Sequence, residues 1–96
     1  YHLPNPAFDL IVANILTPII VDFIGQGIAR ALRPGGRLIV SGIKQKNVPR
    51  VLRALPAAGL EEVDRQVEGQ WAALALRQAK RRSFIKRLFS GGGNVI

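Results

Sequence analysis

Phe8-Asp9-Leu10-Ile11-Val12-Ala13-Asn14-Ile15, followed by Leu16-Thr17-Pro18, decides how the rest of the chain is read. The run is apolar and rich in β-branched residues, with no polar–apolar alternation. That pattern suits a strand buried on both faces of a parallel sheet. Thr17-Pro18 then gives a helix start, with Thr as N-cap and Pro at the first helical position. Ile20, Phe23, Ile24, Gly27, Ile28 and Ala31 recur at helical spacing, so one stripe faces a core. Arg33-Pro34-Gly35-Gly36 stops that helix, because a residue before proline avoids the helical region. Arg37-Leu38-Ile39-Val40-Ser41-Gly42-Ile43 is a second buried strand. A strand, a helix and a strand with short links make a right-handed crossover unit.

Farther along, Asn47 can cap a helix in which Val48, Val51, Leu52 and Leu55 share a face, ending at Pro56 to Gly59. Two further strands follow, about Leu60–Val67 and Trp71–Arg77. The link between them, Glu68-Gly69-Gln70, is short enough to force an antiparallel pair. In the first of these, Val63 and Val67 alternate with Glu62, Asp64 and Gln66, so one face is solvated. No internal repeat is present. The order predicts an α/β fold of two parallel strands with crossover helices, ending in an antiparallel hairpin. This is half of a doubly wound Rossmann-like sheet, of the kind with which methyltransferases finish. The expected division is 1–77 for that half-domain and 78–96 for a basic tail.

Composition bounds the rest. A chain of 96 residues is one domain at most. A hydrophobic fraction of 48% supports a core and excludes wholesale disorder. Cysteine is absent, which removes disulfides and thiolate metal sites, and His2 is the single histidine. Metal binding and triad chemistry therefore lack their residues. The longest apolar stretch, Leu10 to Val21, is interrupted by Asn14 and Pro18 and falls short of the roughly 20 residues of a membrane span. Nothing resembles a secretory signal, so a cytoplasmic location is expected. The net charge of +8 is uneven. Lys80, Arg81, Arg82, Lys86 and Arg87 lie in the tail with no acid among them, and the body is close to balanced.

The motifs themselves carry a resemblance. Phe8 to Leu16, the Leu32-Arg33-Pro34-Gly35-Gly36 turn with its Arg37–Ile43 strand, Gly59-Leu60-Glu61-Glu62-Val63 and Gly69-Gln70-Trp71-Ala72-Ala73-Leu74 together resemble the ribosomal protein L-eleven methyltransferase (PrmA-like) family. The Leu-Arg-Pro-Gly-Gly turn is common to many methyltransferases. The Ala13-Asn14-Ile15-Leu16 segment, the Ser41-Gly42-Ile43 strand end and the Gly69-Gln70-Trp71 hairpin are more restrictive. The resemblance covers about Phe8 to Arg77, the second half of that family's catalytic domain. It implies S-adenosyl-L-methionine as methyl donor and the amino groups of a ribosomal protein as acceptor. The glycine-rich first motif, the ribose-binding acid and the substrate-recognition domain of the family lie upstream of such a segment and are not in this sequence. With no initiating Met, the chain is expected to be a fragment lacking the N-terminal half of its own domain, inactive alone, with an exposed apolar edge on its first strand that favours association. Pro56 and the tail are departures from the family pattern.

Asn14 is the leading site residue. It falls at the carboxyl end of the first strand, where open α/β sheets place their ligands. An amide there can accept from an ammonium and donate to a carboxylate, the groups on the methionyl end of the donor. The alternative is that Asn14 only caps the strand–helix turn; the matching family position contacts the cofactor. Ile15 and Leu16 are expected to shape the wall of an acceptor pocket, or else to pack. Ser41 ends the second strand on the same side and is a further pocket candidate. No catalytic acid, base or nucleophile is assigned, since methyl transfer from a sulfonium is chiefly positioning. Gly35-Gly36 precedes a strand and matches no GxGxxG pattern, so it reads as a turn. Trp71 reads as hairpin core.

In the tail, Phe84, Ile85, Leu88 and Phe89 would share a helix face among Arg81, Arg82, Lys86 and Arg87, before the Gly91-Gly92-Gly93 end. Such a segment could meet ribosomal RNA or an anionic surface, or stay a solvated extension. Three functional readings follow. The first is the ribosomal-protein methyltransferase; the second is a small basic RNA- or ribosome-binding module on a degenerate methyltransferase scaffold; the third is a relative with a different acceptor.

Overall fold

The computed structural model describes residues 7–79; the tail expectations fall outside these described residues. Four strands and two α-helices follow in the order β1 (Phe8–Asn14), α1 (Thr17–Gly25), β2 (Leu32–Lys44), α2 (Val48–Ala54), β3 (Leu60–Glu68) and β4 (Trp71–Gln78). Short 3-10 turns cover Ile28–Ala31, Gln45–Asn47 and Pro56–Ala58. The sheet runs β1-β2-β4-β3, with β1 parallel to β2 and the β3–β4 hairpin antiparallel. The last strand is inserted beside β2, antiparallel to it, which leaves β3 at one edge and β1 at the other. This is the expected α/β half-sheet.

Register sorts the side chains between two faces. Ile11 pairs with Leu38 and Ala13 with Val40, while Leu38 pairs with Leu76 and Val40 with Leu74. This layer meets Ile20 and Ile24 of α1 and Val48, Val51 and Leu55 of the α2 region, forming one buried cluster. Val51, Leu74 and Leu76 are wholly buried. Pairs one step over, Leu10 with Arg37, Val12 with Ile39 and Asn14 with Ser41, point to the opposite face. No described element covers that face, and Leu10 and Val12 are 56% and 62% exposed.

The structure corrects several local expectations. β1 is buried on one face only, because both helices lie on the same side of the sheet. Thr17 is not the N-cap of α1: Leu16 holds that position without a side-chain cap, and Thr17 is a buried first-turn residue. α1 ends at Gly25 rather than continuing to Ala31. Gly27 breaks it by adopting φ +93°, a conformation costly to any residue with a Cβ, and the stripe continues as a 3-10 turn. Gly27 therefore serves chain reversal. Asn47 precedes α2 but makes no side-chain cap bond. In β3, a bulge at Val63, between Glu62 and Asp64, shifts the alternation. Val67 consequently pairs with Ala72 on the helix side, and Asp64 and Gln66 take the open face.

Candidate functional site at the carboxyl ends of the parallel strands

The two parallel strands end together, since Asn14 is in register with Ser41. Beyond Ser41 the antiparallel pairing of β2 with β4 is interrupted between Val40 and Ile43, and Gly42 takes φ +73°. A Cβ at position 42 would collide with Oδ1 of Asn14. The Asn14 side chain therefore leans across the end of β2 into the space that this glycine leaves. It is exposed, so its amide is free to meet a ligand rather than committed to the interior. The glycine has two reasons to be there: the backbone conformation and the neighbouring amide.

Two depressions flank this point. One, of about 460 Å³, is lined by Ser41, Gly42, Glu68 and Trp71 among others. The other, of about 340 Å³, is lined by Leu16, Thr17, Pro18, Gly42, Lys44, Lys46, Asn47 and Trp71. Gly42 and Trp71 belong to both, so they form the ridge between them. Of the residues read from the sequence, Ser41 lines the first and Leu16, 70% exposed, the second, while Asn14 lines neither but lies against Gly42 between them. Ile15 instead turns back against the core cluster and lines neither depression. Among the described residues no group of three His, Cys, Asp or Glu side chains could hold a metal ion.

Trp71 corrects the sequence reading. It is 46% exposed, not core, because it alternates with the buried Ala72 and so points away from the helices. It pairs with Glu68 on one side and Lys44 on the other. The Lys44 ammonium stands 5.9 Å from the centre of its ring, a cation–π contact. Its place directly after a two-residue turn was the available signal, since residues flanking a hairpin turn often reach past the packed layer. Gln45 supports the turn by donating from its amide to the Gly69 carbonyl.

Comparison with known proteins covers these strands and the hairpin as a whole. The family model described as ribosomal protein L11 methyltransferase (PrmA) matches residues 2–79. The chain belongs to this family. The ribosomal protein L11 methyltransferase of Chloroflexus aurantiacus is 43% identical over 77 residues, covering 80% of this chain and 23% of that protein. The protein of the same name from Pelotomaculum thermopropionicum is 49% identical over 69 residues, 72% of this chain and 22% of that one. The crystal structure of a ribosomal protein L11 methylase from Lactobacillus delbrueckii subsp. bulgaricus superposes with a TM-score of 0.70 at 35% identity, over 75% of this chain and 37% of that chain. A putative methyltransferase from Thermoplasma acidophilum shares the fold at 13% identity and a TM-score of 0.61. The chain thus spans less than a quarter of the length of these two sequence relatives. No helix among the described residues is long and apolar enough to cross a membrane.

Proposed function

We propose that this chain forms the carboxyl-terminal part of an S-adenosyl-L-methionine-dependent methyltransferase acting on amino groups of a ribosomal protein, in the cytoplasm. The observation that carries the reading is the Asn14–Gly42 juxtaposition at the ends of two parallel strands, next to a strand edge with no described neighbour. Asn14 would hold the methionyl end of the donor, its amide oxygen accepting from the ammonium and its amide nitrogen donating to the carboxylate. Gly42 leaves the room that this requires. When bound, the donor supplies an electrophilic methyl group on a sulfonium. What remains for the chain is to hold a neutral amine in line, roughly 3–3.5 Å from that carbon. Ser41 and Leu16 are placed to line its approach, and Ile15 backs them from the core side. The rest of the donor site and the acceptor domain belong to upstream polypeptide that pairs with β1 and covers Leu10 and Val12, so this chain alone is inactive.

Calorimetric titration of S-adenosyl-L-methionine tests this directly. The chain alone should give no micromolar isotherm. The chain joined to the N-terminal portion of the Chloroflexus aurantiacus relative should bind saturably, and Asn14→Ala in that joined protein should weaken binding at least about tenfold, the loss of a hydrogen-bonded charged contact. A clear micromolar isotherm from the chain alone would show that Asn14 and its neighbours suffice. An Asn14→Ala variant that binds normally would remove the residue from the donor site.

A further inference from the structure

We propose that Trp71 and the cations around α2 form a docking surface for single-stranded RNA, adjoining the Asn14 site at Gly42 and Leu16 and independent of the methyl-transfer reading. Between Asp22 and Glu61 the sequence holds seven basic residues and no acid. The fold gathers four of them. Lys44 closes β2, and Lys46, Arg50 and Arg53 follow at four- and three-residue spacing, one stripe along the exposed side of α2. Elsewhere Arg33, Arg65 and Arg77 each have a carboxylate oxygen within 3.2 Å, while Arg30 and Arg37 stand apart from this stripe without one among the described residues. None of the four around α2 has an acidic partner within 4 Å among the described residues.

A stripe of unmatched cations alone would be a solvated face. The indole at its end points to a ligand with both charge and a π surface. Trp71 shares the 340 Å³ depression with Lys44, Lys46 and the half-buried Asn47. A nucleobase stacked on the indole would displace the Lys44 ammonium from the ring and release it to a phosphate. The Asn47 amide can both donate to and accept from a base edge. Lys46, Arg50 and Arg53 would track the following phosphates. Neutralised phosphates combined with sequence-tolerant stacking are how single strands are held. An acidic peptide would satisfy the cations but leave the indole face without a partner, so the strand is favoured.

Trp71 is the only tryptophan in the chain, so its fluorescence reports this surface and not the tail. A fluorescently labelled twelve-nucleotide oligouridine is titrated into the full chain at low salt, reading tryptophan quenching and label anisotropy. Saturable quenching is expected. Trp71→Ala should weaken binding about tenfold and Trp71→Phe much less, as stacking predicts. Lys44→Glu with Lys46→Glu, both exposed and tolerable to the fold, should weaken it at least as much. The double change should also flatten the dependence of log K on log salt by about 1.4, roughly 0.7 per lost phosphate contact. Absence of RNA binding overturns the proposal. So does binding that leaves tryptophan fluorescence and the double variant unchanged, which would put the strand on the basic tail. Equal competition by an oligoglutamate peptide of matched charge would assign the surface to acidic protein instead.

Discussion

The two edges of the sheet are built on opposite principles. β3 carries five charged residues in nine, Glu61, Glu62, Asp64, Arg65 and Glu68, and a bulge at Val63. Charges and bulges are the devices by which natural sheets discourage further pairing. Its ions are also tied down, with Arg77 3.0 Å from Glu61 and Arg65 gripping both carboxylate oxygens of Glu62. β1 carries one charge in seven, Asp9, and presents Phe8, Leu10 and Val12 to solvent. Its one charge, paired with Arg33, and its one register irregularity both fall in the first three residues, which leaves the rest of the strand without the protection of β3. The contrast teaches that β3 is guarded as an edge whereas most of β1 is not, which is what the proposed function expects of a strand that takes a further neighbour.

The largest expected effect separates the interior strand β4 from either edge. Leu74 is wholly buried, and Leu74→Ala should cost about 2–5 kcal/mol in urea unfolding, through lost transfer and a residual cavity. Val12→Ala on β1 should stay within about 0.5 kcal/mol, as for a surface position. If Val12→Ala costs as much as Leu74→Ala, β1 is already covered in the free chain and the contrast fails. Next in size is Gly42→Ala. The φ of +73° and the collision with Asn14 together should cost about 1–3 kcal/mol, and the Asn14 resonances should shift in an amide-detected spectrum. An unperturbed Asn14 would mean the two strand ends are not in contact.

Self-association probes the edges themselves. Sedimentation of the chain at rising concentration should show association, and Leu10→Lys with Val12→Lys should weaken it about tenfold while moving stability by no more than about 0.5 kcal/mol. Charge removal on β3 should move association in the other direction. A chain that stays monomeric at high concentration before any substitution would mean that β1 needs no neighbour.

Much of this was legible in the sequence for reasons that can be named. The bodies of the strands and α2 announced themselves because apolar runs bounded by proline and glycine leave few alternatives, and a link as short as Glu68-Gly69-Gln70 makes a hairpin almost unavoidable. Asn14 and Ser41 were placed at one end of the sheet because parallel strands must both finish on the same side. What was hidden depended on the third dimension. The end of α1 turned on the backbone angle of Gly27, within a stripe whose periodicity ran on past it. The exposure of Trp71 depended on which face of the hairpin the helices cover, which composition cannot convey. The one-sided burial of β1 could not be read from its residues, since they suit a strand with cover on both faces. The contact between Asn14 and Gly42 needed the interrupted ladder between Val40 and Ile43, a feature with no residue signature of its own.

The smallest expected effect asks whether the charges on β3 stabilise the fold or merely guard its edge. Two hydrogen bonds from the Arg65 guanidinium hold the Glu62 carboxyl below its ordinary pKa and raise that of Arg65, outweighing the partial burial that opposes them. A carboxyl lowered in the folded state stabilises the fold at pH values above its unfolded pKa, and that contribution is lost as the pH falls through the lowered value. Glu62→Gln should therefore cost less than about 1 kcal/mol at neutral pH, because the pair is open to solvent and screened. The difference from the unmodified chain should shrink as urea melts are taken from pH 6 down into the range below the usual glutamate pKa of about 4.3. If the edge is guarded by its charge, the same substitution should increase association at neutral pH out of proportion to that small loss. A large stability cost with unchanged association would make the Glu62–Arg65 pair part of the fold's foundation, and β3 would no longer stand as the designed counterpart of the uncovered β1.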